Sequence, residues 1–131
     1  PLPGQEDDAP RQVLSADAAN KVLQTLEATA QHGMGNQVAI PGYRVGVKTG
    51  TAQYVGEDGS YVANKYILSM AGIAPIDDPQ FVVQVTMMPP ATMGGSILMA
   101  PTWHDVMAHA LQMRSVPPSP EPWPDIPVEQ Q

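Results

Sequence analysis

The chain has 131 residues, 43% of them hydrophobic, with a net charge of -7 and no cysteine. That length buries one modest core, so one domain or part of one is expected, and without thiols disulfides and thiolate metal sites are excluded. The acidic balance argues against nucleic acid as a partner, and much of it sits at the ends (Glu6, Asp7, Asp8; Glu121, Asp125, Glu129), where it reads as solubilising charge.

The opening Pro1-Leu-Pro-Gly-Gln-Glu-Asp-Asp8 is polar and acidic and does not read as a signal peptide. No apolar run approaches the roughly 18 residues of a membrane span. Residues 1–12 read as an extended lead-in, residues 13–115 as the folded unit, and residues 116–131, with Pro at short intervals, as a disordered or polyproline-like tail.

Ser15 is a good N-cap and Asp17 suits the first turn of a helix. Ala19, Val22, Leu23, Leu26 and Ala30 follow at helical spacing, and His32-Gly33 is the expected stop. Met34 to Pro41 reads as a loop. Three strands are then expected: Tyr43–Tyr54, Tyr66–Ala74 and Phe81–Met88. Gly56-Glu-Asp-Gly59 makes a hairpin of the first two, and Asp77-Asp-Pro79 turns into the third. After a Gly94-Gly95 loop, Pro101 opens a last helix whose Trp103, Val106, Met107, Ala110 and Leu111 form one apolar stripe. The predicted fold class is α+β, an antiparallel sheet of about three strands flanked by helices.

Lys48-Thr-Gly-Thr51 carries the chemistry. A Lys ammonium beside Gly50 can fix a substrate carboxylate or modulate a nearby hydroxyl's proton. Thr49 and Thr51 add hydroxyls, a strand edge adds backbone N–H groups, and Gly50 lets a ligand approach the backbone. As a bare tripeptide, Lys-Thr-Gly is ordinary in an exposed strand; its setting gives it weight. Gly42, Gly46 and Gly50 recur every four residues, which in a strand keeps one face open for a ligand or for close helix packing. Strict alternation puts Lys48 opposite Thr49 and Thr51.

The other candidates read as structural. His32, His104 and His109 lack the spacing and acid support of a metal helix. Asp77-Asp78 and Glu57-Asp58 read as turns, and the Met residues as core and loop filling. No metal ligand set and no cofactor is expected.

From Val13 to about Arg114 the chain resembles the C-terminal part of the transpeptidase domain of class B penicillin-binding proteins. Val13-Leu-Ser-Ala-Asp-Ala-Ala19 is similar to the start of the helix before the family's Lys-Thr-Gly strand. Gly33-Met-Gly35 resembles its Gly-Thr-Gly-like loop, and Pro41-Gly-Tyr-Arg-Val-Gly-Val-Lys-Thr-Gly-Thr-Ala-Gln53 the strand itself. Ala71-Gly-Ile-Ala-Pro-Ile-Asp-Asp-Pro-Gln-Phe-Val-Val83 resembles the following hairpin; Gly94-Gly95 and Ala100-Pro101 also match. Val47 departs from the Gly or Ala common before the Lys. Lys-Thr-Gly is one of three signatures of the penicillin-binding proteins and serine β-lactamases. The other two, Ser-x-x-Lys and Ser-x-Asn, are absent: no Ser here has Lys three positions on or Asn two positions on.

The resemblance implies peptidoglycan transpeptidation through a Ser acyl-enzyme, with β-lactams as mimics of the donor peptide. It implies that Lys48 borders the nucleophile pocket, that Thr49 and Thr51 hold the donor or β-lactam carboxylate, and that the Thr51 N–H is one oxyanion donor. It implies as partners peptidoglycan stem peptides, β-lactams, the upstream half of the same domain and cell-division proteins, and a location outside the bacterial cell membrane on an anchored parent. The isolated chain, without the nucleophile, is expected to be inactive. A D,D-carboxypeptidase or serine β-lactamase shares the triplet, a β-lactam sensor binds the same ligands to transmit a signal, and a folding or interaction fragment is a third reading. The hairpin and last-helix matches favour the transpeptidase.

Overall fold

The structure is a computed structural model that describes residues 11–88 and 95–122. The expectations for residues 1–10, Met93, Gly94 and the tail from Trp123 onward lie outside the described residues.

Helix α1 spans Ala16–Thr29, and Ser15 Oγ accepts from the Ala18 N–H as its cap. The stop differs from expectation. Past Thr29 the helix widens into a π-turn, Ala30–Met34, then a 3-10 turn, Gly35–Gln37. The left-handed glycine is Gly35, at φ +54°, not Gly33. Ala30 and Met34 are both buried. The predicted stripe is also rotated: Val22 is 51% exposed, whereas Glu27 is 8% exposed. Arg44 explains the rotation. Its Nε and Nη2 each donate to Glu27 at 2.6 Å, a bidentate pair that fixes α1 to the chain entering the sheet. That pairing raises the Arg44 pKa, with burial opposing it.

The sheet is antiparallel, in the order β1 (Gly46–Val55), β2 (Tyr61–Ala74), β3 (Phe81–Met87). β1 and β3 are therefore the two edge strands among the described residues. β2 begins five residues earlier than Tyr66, the predicted start. The pairing runs from Gln53↔Tyr66 to Val55↔Tyr61, so β2 carries extra residues in a bulge, with Asn64 at φ +57°. Ala63-Asn-Lys65 is poor in β-formers and hides the strand's first stretch. At the hairpin tip the Asp58 carboxylate accepts from the Ser60 hydroxyl at 2.7 Å and the Ser60 N–H at 3.1 Å, which lowers its pKa.

Register assigns the two faces. Val47, Thr49 and Thr51 pair with Gly72, Met70 and Leu68, which pair in turn with Val83, Val85 and Met87. This face carries the core and meets α2 (Ala100–Met113) through buried Ala100, Trp103, Met107 and Leu111. Of the predicted stripe, Val106 is exposed. Gly46, Lys48 and Gly50 pair with Ile73, Ala71 and Ser69 on the opposite face. There a Cβ on Gly46 would stand 2.9 Å from Leu26 Cβ and 3.2 Å from the Glu27 backbone nitrogen, so this glycine admits α1.

The expected disordered tail is not detached at its start. Ser119 is 5% exposed: its N–H donates to Gly42 O at 2.9 Å, its hydroxyl donates to Asp77 Oδ1 at 2.6 Å, and the Arg44 N–H donates to its Oγ at 3.0 Å. Tyr43 adds a bond from its hydroxyl to Val116 O at 2.7 Å. Residues 116–119 thus strap the β1 lead-in to the turn between β2 and β3.

Candidate functional site

The triplet sits mid-way along β1, where the strand has a neighbour on one side only among the described residues. Period-two alternation separates its side chains. Lys48 and Gly50 are on the α1 face, Thr49 and Thr51 on the α2 face. Lys48 is exposed, and its Nζ donates to Thr49 O at 2.6 Å. An exposed ammonium whose hydrogen bond goes to the carbonyl of the adjacent residue contributes little to a core, and among the described residues no carboxylate pairs with it.

Gly50 has a structural reason that sequence reading missed. A Cβ at this position would stand 2.6 Å from Ser69 Oγ on β2. Glycine lets β1 lie close to that hydroxyl. Gly42, grouped with Gly46 and Gly50 by spacing, lies outside the strand at φ +85° and packs near Pro118. The four-residue recurrence therefore joins a turn, a helix contact and a close approach between strands, not one open face.

The Thr51 side meets a residue that the motif does not contain. Ser96, 8% exposed, opens a 3-10 turn (Ser96–Met99) leading directly into α2. Its hydroxyl donates to Gly50 O at 2.9 Å and shares a 2.8 Å hydrogen bond with Thr51 Oγ1. Nothing in the sequence marks Ser96 beyond its place after Gly95; a fold was needed to carry it 46 positions back to Gly50.

The remaining candidates are elsewhere. His104 Nδ1 lies 3.0 Å from Asp105 Oδ1 on α2, and His32 and His109 are exposed. Asp77 is held by Ser119, and Asp58 caps its own turn. Among the described residues no group of three or more His, Asp or Glu is placed to hold a metal.

An exposed Lys, two hydroxyls and a glycine thus share one stretch of β1, flanked by the helices described above. Residues 4–108 match the model of the penicillin binding protein transpeptidase domain. The chain belongs to that family. It is 38% identical over 117 residues to stage V sporulation protein D of Bacillus subtilis (strain 168), covering 87% of this chain and 18% of the relative. It is 35% identical over 122 residues to peptidoglycan D,D-transpeptidase FtsI of Escherichia coli (strain K12), covering 90% and 19%. Among solved structures, penicillin-binding protein 3 of Mycobacterium tuberculosis complexed with ampicillin superposes with a TM-score of 0.71 and 32% identity, over 97% of this chain and 31% of that one. The chain thus spans less than a fifth of the length of these curated relatives. Its three-stranded sheet and two helices are a segment of the transpeptidase fold.

Proposed function

We propose that this segment is the Lys-Thr-Gly wall of a peptidoglycan D,D-transpeptidase active site whose nucleophilic Ser lies outside these residues. The observation that carries the reading is Lys48: an exposed ammonium on an edge strand, in a chain of the transpeptidase family. The donor peptide's penultimate carbonyl is attacked by the Ser oxygen, the terminal D-Ala amine leaves with a proton, and an acceptor amine then displaces the Ser to form the cross-link. Lys48 supplies positive charge beside the nucleophile. Thr49 and Thr51 engage the donor carboxylate, and the Thr51 N–H is one donor to the oxyanion. β-Lactams occupy the same wall and leave a stable acyl-enzyme. The name of one relative, peptidoglycan D,D-transpeptidase FtsI, supports this over a sensor. The working place of the enzyme is the outer side of the bacterial cell membrane, alongside cell-division proteins.

The test is Lys48→Ala in the full-length protein, read as the rate of acylation by a fluorescent penicillin. Loss of one such charge slows acylation about 10²–10³-fold, with the melting temperature unchanged. Acylation at the parental rate would remove Lys48 from the active site.

A further inference from the structure

We propose that Ser96 is a positioning residue for Thr51, holding its hydroxyl in place and governing which way its proton points. This rests on the reading that Thr51 engages a carboxylate, and follows from counting protons. A serine hydroxyl has one proton and two lone pairs, and a carbonyl only accepts. Ser96 Oγ donates to Gly50 O at 2.9 Å. With that proton committed, the 2.8 Å contact between Ser96 and Thr51 has Thr51 as the donor. In this state the Thr51 proton is turned onto Ser96, and the oxygen shows only lone pairs to the exposed side.

A carboxylate is an acceptor and needs the opposite polarity. Two hydroxyl rotations provide it, with no bond made or broken. Thr51 turns its proton outward to the ligand, and Ser96 swings its proton from Gly50 O to Thr51 Oγ1. Ser96 keeps the Thr51 oxygen in one place in both states, and in the second its hydrogen bond polarises Thr51 into a better donor. Its burial and anchoring fit the role. Ser96 is 8% exposed, Gly95 enters the turn at φ +74°, and the turn runs into α2 through fully buried Met99 and Ala100.

A double-mutant cycle in the full-length protein tests this. Ser96→Ala slows acylation by a carboxylate-bearing penicillin about tenfold, the effect of one hydrogen bond, and Ser96→Thr, which keeps a hydroxyl, restores the rate. In the Thr51→Val background Ser96→Ala adds nothing, because its target is gone. A parental rate for Ser96→Ala, or effects that multiply in the double variant, would overturn the proposal. A crystal structure of the Ser96→Ala protein gives a readout independent of activity: Thr51 leaves its rotamer, and an unmoved Thr51 side chain would also overturn the proposal. If Thr51→Val alone acylates normally, the carboxylate role of Thr51 fails, while the rotamer still decides whether Ser96 positions it.

Discussion

The indole of Trp103 lies where a side chain on Gly72 would stand: a Cβ there would come within 2.6 Å of Trp103 Cε2 and 2.9 Å of Gly46 O. Trp103 is fully buried, and its Nε1 donates to Val83 O at 3.1 Å, so the ring is pinned across β2 and β3.

Gly72→Ala therefore overpacks a site with no flexible neighbour and destabilises the chain by about 3 kcal/mol. Trp103→Phe in the same chain recovers part of that loss, because the clashing atoms belong to the indole's larger ring. Urea unfolding of the single and double variants measures both. Additive losses would mean that the two residues do not compete for the space.

Glu27→Ala removes both bonds from Arg44 and leaves a half-buried guanidinium without its carboxylate. The expected cost is about 2 kcal/mol. Glu27→Gln, which keeps one acceptor, loses less. An unchanged urea midpoint for Glu27→Ala would show that the pair does not hold α1.

Ser119→Ala strips the Arg44 N–H of its acceptor and Asp77 of its donor, while the Ser119 N–H to Gly42 bond survives. We expect a loss of about 1–3 kcal/mol, whereas Gln112→Ala, at an exposed position on α2, stays within about 0.5 kcal/mol. Equal melting temperatures for the two variants would refute the strap.

We expect the 131-residue chain alone to form no covalent adduct with penicillin, because no Ser is followed by Lys at the third position. Intact-mass spectrometry after incubation with penicillin reads this directly. A stoichiometric mass increase would place a nucleophile within these residues.

Local pattern was enough for the elements. The Ser15 cap, the alternation of Phe81–Met87, the Gly56–Gly59 turn and the Trp103 stripe each act through neighbours a few positions away, so the antiparallel α+β order was legible. So was the separation of Lys48 from Thr49 and Thr51, since a strand's pleat follows from the chain itself. The early start of β2 was not, because a bulge breaks the alternation that marks a strand.

Residue order alone therefore specifies the set of elements and the triplet with its resemblance. Packing in three dimensions selects the side-chain partners: Glu27 turned inward by Arg44, Gly72 emptied for Trp103, Gly50 for Ser69, Ser119 strapped to Gly42, and Ser96 set on Thr51. Each joins residues at least 17 positions apart. Burial makes an unpartnered polar group costly, and close packing leaves no room for a side chain where another already lies. Both constraints act between neighbours in space, which the linear order of residues does not reveal.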